Sequence, residues 1–367
     1  MIRRRTRILL RDAVVTALVV VVLAAAAIGA WRLSAHRHRP PAAPANATGP
    51  AIAARRPQVP AGSHPAARAR PQHRSPAPAL GVYVGPGAAA QAEAVDAETG
   101  GKVSYALEYL PADTWEQLSD PTWIEQQWGP SPFRLVLAVP MLPSSGGTLA
   151  EGATGAYDEP FALLAQRLVA GGLGGSVLMV GWQPGSPQHP WQVTTATQAA
   201  HYVTFWDRIH QVMSGTPGAH FQFEWDAGGP AYPIGPQQTY PGNAAVDIVA
   251  TDAFDVDQGT APADQQWSSL LDESTSPSWI ASFAAAHGKR FALAMCGLAS
   301  ASSGGGGDNA AFLNQSLAWA EAVHASLYVL WDYGTGAVTG GGYPAAAGAL
   351  VRAVDQGIVG SAGGQLH

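Results

Sequence analysis

The sequence predicts an α/β fold, a (β/α)8 TIM barrel, preceded by an N-terminal transmembrane helix and a disordered linker rich in Pro, Ala and Arg. From Gly81 onward, eight short runs rich in β-branched and aromatic residues alternate with helical segments. Residues 81–367 also have the length typical of such a barrel. An open, doubly wound sheet is the alternative, but the first strand is not followed by the G-x-G-x-x-G turn expected there.

The first 31 residues predict a signal anchor. Five arginines lie in residues 1–12, which we interpret as a cytoplasmic basic tail, and residues 13–31 form an uncharged apolar run. At about 1.5 Å per residue, this run is long enough to cross a hydrocarbon layer of about 30 Å. The arginines are then expected inside and the rest of the chain outside. Small residues at 27–30 leave cleavage, and hence secretion, as an alternative.

Residues 32–80 predict a disordered linker. They contain ten of the 29 prolines, many alanines and arginines, and almost no large apolar side chains. Such a composition cannot bury enough apolar surface to form a core. The linker therefore separates the anchor from a domain that begins at residue 81.

The charge is divided between the two parts of the 367-residue chain. Thirteen of the 20 basic residues precede residue 81, whereas 25 of the 26 acidic residues follow it. A domain this acidic would repel phosphate backbones, so nucleic acid is not expected as a partner. The single cysteine, Cys296, excludes an internal disulfide, and the histidines lack a metal-ligand spacing. We predict no metal and no cofactor, and the sequence does not indicate an oligomeric state.

The individual elements can be placed along the chain. Strands are predicted at residues 81–84, 104–110, 133–141, 176–183, 220–226, 246–255, 290–297 and 327–333. Helices are predicted at residues 88–97, 114–127, 160–170, 197–214, 276–287, 309–324 and 344–355.

Acidic and aromatic residues stand at the ends of five predicted strands. In a (β/α)8 barrel the functional face lies at the C-terminal ends of the strands. Carboxylates accept hydrogen bonds from sugar hydroxyls and flat rings cover sugar C–H faces, so this combination indicates a carbohydrate site. The predicted substrate-binding residues are Glu108, Trp182, Trp191, Trp225, Asp252, Trp331, Asp332 and Tyr333.

Several segments of the domain resemble glycoside hydrolase family 26, the β-mannanase-type barrels, and particularly actinobacterial relatives. The resemblance covers nearly all of residues 81–367. The matching segments are GVYVGPG (81–87), VPMLPSSGG (139–147), GWQ (181–183) with PW (190–191), FQFEW (221–225), VDIVATD (246–252), and AHGK (286–289) leading to GL (297–298).

The resemblance implies a retaining hydrolase with one glutamate as acid/base after the fourth strand and another as nucleophile on the seventh. In this chain Gln183 stands at the acid/base position and Met295 at the nucleophile position. A carboxamide has no titratable proton to deliver, and a thioether cannot replace a carboxylate nucleophile. Both catalytic positions are therefore substituted.

Two functions remain open. The first is a membrane-anchored, extracytoplasmic barrel that binds a polysaccharide, β-mannan or another β-glycan, without ordinary cleavage. The alternative is an active β-glycanase with relocated carboxylates, for which Glu224 or Asp226 would pair with Asp252, Asp332 or Glu108. A weaker idea is that Cys296 acts as a thiol nucleophile.

Overall fold

The fold is a closed barrel of eight parallel strands. The structure is a computed structural model that describes residues 76–362, apart from residues 230–233, 257–260 and 274. Each strand pairs with the next, and the last pairs with the first. The strands are β1 (Ala79–Tyr83), β2 (Val103–Tyr109), β3 (Arg134–Val139), β4 (Val177–Val180), β5 (Gln222–Asp226), β6 (Ile248–Phe254), β7 (Arg290–Gly297) and β8 (Leu327–Trp331).

This closure confirms the predicted barrel and excludes the open-sheet alternative. All eight predicted strands form, with bounds shifted by a few residues. The barrel begins earlier than predicted, because β1 starts at Ala79 rather than at Gly81. Backbone bonds hold this start: the Ala79 N–H donates to the Ser326 carbonyl at 3.1 Å, and the Leu80 N–H donates to the Gly360 carbonyl at 2.7 Å.

Helices surround the barrel. They are α1 (Ala89–Glu98), α2 (Trp115–Leu118), α3 (Thr122–Trp128), α4 (Leu149–Ala153), α5 (Asp158–Ala170), α6 (Ala196–Ser214), α7 (Gln266–Leu271), α8 (Pro277–Ala286), α9 (Ala310–Ala322) and α10 (Pro344–Asp355). The helix predicted at 114–127 is two helices, because Pro121 interrupts it. Helices α4 and α7 were not predicted; each has only five or six residues, too short for a clear periodic pattern.

Helix α6 illustrates how the sequence builds the outer layer. Thr195 and Gln198 form a capping box at its start. Its buried face carries large rings, including Phe205 and Trp206, which pack toward the strands. The Trp206 indole N–H donates to the Val180 carbonyl at 3.1 Å, so the helix is bonded directly to the end of β4. The core thus fixes where β4 ends and the loop with Gln183 begins.

The predicted membrane anchor at residues 13–31 lies outside the described residues, as does most of the predicted linker. Within the described part of the chain, none of the helices has the length and apolar character needed to span a bilayer.

Candidate functional site

Strand β5 shows which side chains face the barrel interior. Phe223 and Trp225 lie on its outward face. The ring centroids of Phe223 and Trp206 on α6 are 5.9 Å apart, and those of Trp225 and Phe283 on α8 are 5.7 Å apart. Side chains alternate along a strand, so Glu224 and Asp226 point inward. Trp225 is fully buried behind the barrel wall and does not reach the functional face, contrary to its predicted role as a sugar contact.

Asp226 and Asp252 form a carboxyl pair at the C-terminal ends of β5 and β6. Their carboxyl groups interact directly, and each affects the pKa of the other. Asp226 Oδ1 also accepts from the Gly228 N–H at 2.7 Å. Burial and the mutual repulsion of the two carboxylates raise the pKa of Asp226 well above its ordinary value, and burial raises the pKa of Asp252 to about 7. Both carboxyl groups therefore keep their protons to higher pH than an ordinary aspartate does.

Glu224 lies deeper in the barrel, two residues before Asp226 on the same face of β5. That spacing corresponds to about 6.5–7 Å along the strand. Glu224 is 0% exposed, and neither carboxyl oxygen has a hydrogen-bond partner among the described residues. Burial, followed by the charge of Asp252, raises its pKa to about 8, although the Arg290 guanidinium opposes this shift. Glu224 is thus mostly protonated at neutral pH and is sealed from solvent.

Gln183 and Met295 lie on either side of Asp252. The Gln183 side-chain amide donates to Asp252 Oδ2 at 2.6 Å, and Met295 is the residue opposite Asp252 in the register of β6 and β7. The Met295 sulfur accepts a hydrogen bond from the Tyr109 hydroxyl at 2.8 Å. The two positions predicted from the family pattern are therefore brought together at one site, and neither is a carboxylate.

The backbone around Gln183 is built to hold this arrangement. Gln183 has φ 47°, in the left-handed region that non-glycine residues rarely adopt. Gly229 leaves the room that the Gln183 side chain occupies, because a Cβ there would lie 3.0 Å from the Gln183 Cγ. A residue held in a costly conformation by its surroundings is typical of a functional position.

Four rings form what we term the aromatic mouth: Tyr83, Tyr109, Trp182 and Trp331. The ring centroids of Tyr109 and Trp182 are 5.3 Å apart, and those of Tyr83 and Trp331 are 4.2 Å apart. Tyr83 and Tyr109 make an edge contact at 5.4 Å, which joins the two pairs. Trp182 and Trp331 each remain 8% exposed. The mouth therefore borders Gln183 and Met295 with apolar ring surface.

Trp191 supports the mouth from behind. Its indole N–H donates to the Trp182 carbonyl at 2.9 Å, and the two rings lie 4.8 Å apart. The His189 ring stacks on Trp191 at 4.5 Å, and burial lowers the pKa of His189 to about 4, so this histidine is neutral near pH 7. Trp191 is 3% exposed, and so acts mainly by positioning Trp182.

Glu108 does not join the mouth. Its carboxylate accepts hydrogen bonds from the Gly87 N–H at 2.6 Å, the Tyr109 N–H at 2.8 Å and the Trp128 indole at 2.9 Å. These partners lie on the outer side of β2, and Glu108 is 0% exposed. This position does not fit the predicted contact with substrate, because Glu108 fixes the turn at Gly87 instead. Burial raises the pKa of Glu108 to about 7 despite the three donors.

Asp332 also serves the fold rather than the mouth. One carboxyl oxygen accepts from the backbone N–H groups of Val338 and Thr339, and the other accepts from the Thr339 hydroxyl. Asp332 thereby anchors the loop after β8, and its predicted sugar contact does not fit this position. Tyr333 lies at the rim, with its ring 5.5 Å from that of Tyr83.

Cys296 lies on the opposite face of β7 from Met295. Its thiol accepts a hydrogen bond from the Tyr328 hydroxyl at 3.0 Å, and burial raises its pKa to about 12. A thiol this far from ionising is not a nucleophile near neutral pH. Among the residues that the structure describes, no group of three or more His, Cys, Asp or Glu side chains is arranged to hold a metal ion.

The architecture is a closed (β/α)8 barrel, and comparisons with solved structures find similar barrels. The chain is similar to the catalytic domain of a Bacillus sp. JAMB-750 family 26 endo-β-1,4-mannanase, with TM-score 0.56, 15% identity and coverage of 78% of this chain and 87% of that one. The chain is also similar to a family 26 β-mannanase from Bacteroides ovatus, with TM-score 0.51, 14% identity and coverage of 80% of this chain and 92% of that one.

A third similar structure is a β-mannanase from a symbiotic protist of the termite Reticulitermes speratus, solved in complex with a gluco-manno-oligosaccharide. Its TM-score is 0.52 at 13% identity, with 79% of this chain and 90% of that chain covered. No protein-family model matches the sequence, and no curated protein matches it. At such low identity the likeness shows that this chain has the fold of family 26 β-mannanases.

The sealed position of Glu224 predicts a specific pH dependence of stability. Its pKa is raised from 4.5 to about 8 in the folded state, so stability is fully present below pH 4.5 and is lost as the pH rises through 8. Between pH 5 and 9, the free energy of unfolding of Glu224→Gln should fall by roughly 2–4 kcal/mol less than that of wild type. Urea denaturation across this pH range measures it.

Exposed Glu93 on α1 provides the control, since Glu93→Gln should leave the decline unchanged. Because Asp226 and Asp252 shift in the same direction, part of the decline should persist in Glu224→Gln. Parallel curves for wild type and Glu224→Gln would show that Glu224 is not the buried acid described here.

Proposed function

We propose that this protein binds a neutral β-glycan, such as β-mannan, across its aromatic mouth without cleaving it by the retaining mechanism. The observation that carries the proposal is the placement of Gln183 and Met295 on either side of Asp252. The first cannot supply a proton to the leaving oxygen, and the second cannot attack an anomeric carbon.

The remaining carboxyl groups are poorly placed to substitute for them. A retaining mechanism needs two carboxyl groups that flank the scissile bond, about 5–5.5 Å apart. Asp226 and Asp252 instead act directly on each other's pKa, and Asp252 Oδ2 already accepts from the Gln183 amide. Glu224 lies below this pair with no exposed surface. Glu108 and Asp332 are each held by several donors away from the mouth.

The mouth nevertheless has the groups that recognise sugars. Trp182 and Trp331 offer apolar ring surface, and the Gln183 amide and the half-buried Asp252 carboxyl offer polar atoms between them. Aromatic faces beside a few convergent polar groups are typical of saccharide sites. The raised pKa values of Asp226 and Asp252 reduce the negative charge of the site near neutral pH.

A second candidate function is residual glycoside hydrolysis through Asp252. This carboxyl is half-buried at the mouth, and burial raises its pKa to about 7, near the value that suits a general acid at neutral pH. Hydrolysis by the wild type that is lost in Asp252→Asn would favour this candidate over binding alone.

We further propose that the barrel is held at the outer surface of a membrane. The apolar run at residues 13–31, the arginines before it and the proline-rich segment after it support an uncleaved anchor and a tether. A tether of this kind would let the barrel bind polysaccharide outside the cell.

Loss of either mouth tryptophan should weaken binding. Isothermal titration of wild type with β-1,4-mannohexaose should show binding, and chromatography should show no shorter products. Trp182→Ala and Trp331→Ala should each lower the affinity about tenfold or more, since each removes stacking surface of roughly 1.4 kcal/mol. Trp279→Ala, on the outer helix α8, is the matched control. Absence of binding by wild type to this and other β-glycans would contradict the proposal.

Restoring the two carboxylates should create hydrolysis. In Gln183→Glu/Met295→Glu, the new acid at 183 would face Asp252, which keeps its pKa high enough to donate a proton. The new carboxylate at 295 would accept the hydrogen bond that the Tyr109 hydroxyl now donates to the Met295 sulfur. Reducing-sugar release from β-mannan should exceed that of wild type and of both single variants. Equal rates in all four proteins would show that the mouth cannot position a glycosidic bond.

The anchor can be tested by fractionation. The full chain should remain with membranes after alkaline carbonate extraction, and a variant lacking residues 2–31 should be found in the soluble fraction. A full-length gene product recovered in the medium with its N-terminus near residue 31 would contradict an uncleaved anchor.

A further inference from the structure

Trp123 stands out because it is both large and exposed. It is 37% exposed, and it is the only aromatic residue among the exposed large hydrophobic side chains of the described part of the chain. It lies on α3, next to the turn that follows β1. Because β1 ends at the functional face of the barrel, Trp123 lies at the rim of that face and not on the remote side of the molecule.

The turn after β1 is shaped to fit Trp123 and Gln127. Gly87 has φ +64°, and a Cβ there would lie 2.7 Å from the Trp123 Cζ2 and 3.3 Å from the Gln127 Cγ. Only glycine leaves this space without strain. Trp123 and Gln127 are four residues apart on one helix, so a flat ring and an exposed carboxamide stand side by side.

A buried carboxylate holds this arrangement rigid. Glu108 accepts from the Gly87 N–H at 2.6 Å and from the indole of Trp128, the last residue of α3, at 2.9 Å. The turn and the helix that carries Trp123 are thus bonded to the same side chain. A fixed ring loses little conformational freedom when a ligand stacks on it.

The same turn connects Trp123 to the aromatic mouth. A Cβ on Gly85 would lie 2.5 Å from the Tyr333 Cε2, so the Tyr333 ring packs against the other end of the turn. The Tyr333 ring lies 5.5 Å from Tyr83, which belongs to the mouth. Since two residues of chain span at most about 7 Å, Trp123 and Tyr333 flank one short segment between the mouth and the rim.

We propose that Trp123 and Gln127 form a distal sugar-binding subsite for a glycan chain that extends from the mouth past Tyr333. The inference rests on the proposed function and adds to it the direction in which the chain leaves the mouth and a requirement for length. The subsite takes a neutral β-glycan residue, whose C–H face packs on the Trp123 ring while a hydroxyl bonds the Gln127 amide.

The test compares ligands of different length on the full chain. Titration with β-1,4-mannotriose, mannotetraose and mannohexaose should show affinity that rises with length in wild type. Trp123→Ala should remove about fivefold to tenfold of affinity for the hexaose and leave the triose unchanged. Gln127→Ala should give a smaller loss with the same length dependence. Leu163→Ala, at an equally exposed position on α5, is the control.

Each outcome separates this inference from the proposed function. If wild type binds none of the ligands, the proposed function itself fails. If wild type binds them and Trp123→Ala matches wild type at every length, the distal subsite is wrong and the mouth stands. An equal loss of affinity at all ligand lengths would assign Trp123 to the fold and overturn the subsite. The same would follow if Trp123→Ala had a lower melting temperature and Trp123→Phe restored neither that temperature nor the affinity for the hexaose.

Discussion

The carboxyl pair of Asp226 and Asp252 determines how the site is arranged. This pair lies at the C-terminal ends of β5 and β6, where burial raises the pKa of both groups. The loop that follows β5 is pressed against it, because a Cβ on Gly228 would lie 2.5 Å from Asp252 Oδ2. The position of the Gln183 side chain follows from this pair, since Gln183 donates to Asp252.

Gln183 and Met295 add no charge beside the carboxyl groups of Asp226, Asp252 and Glu224. Asp226, Asp252 and Glu224 already repel one another in a buried space, and burial raises the pKa of each. An amide donates to Asp252 where another glutamate would add repulsion, and a thioether accepts from Tyr109 without adding charge. Neither side chain adds negative charge to the site, which suits the uncharged sugar that we propose as its ligand.

The sequence predicted the strands well because each is a short apolar run between turn residues, and it predicted the functional face because parallel strands end together. It did not predict which side chains at a strand end face inward. Glu108, Trp225 and Asp332 were placed in the site, yet their partners lie elsewhere, and Tyr83 was missed. The contacts of each strand with its covering helix decide which of its side chains face inward, and these contacts exist only in the folded chain.

Met295 depends on a feature that no local pattern reveals. The register of β6 and β7 shifts so that Asp252 lies opposite Met295 while Thr251 lies opposite Leu293, and one residue of β7 is left between them. Such a bulge reverses the alternation, which turns Met295 toward Tyr109 and Cys296 toward Tyr328. The family pattern indicated the position of Met295 in the sequence, but the direction of its side chain depends on how β6 pairs with β7.

A crystal structure of the protein grown with excess β-1,4-mannohexaose would show whether the aromatic mouth binds a glycan without cleaving it. The proposed binding function predicts an uncleaved oligosaccharide that packs on Trp182 and Trp331, with a glycosidic oxygen facing Gln183 and no covalent bond to the protein. Shorter products in the mouth, or a sugar bonded to Asp226, Asp252 or Glu224, would contradict it, as would an empty mouth at saturating ligand.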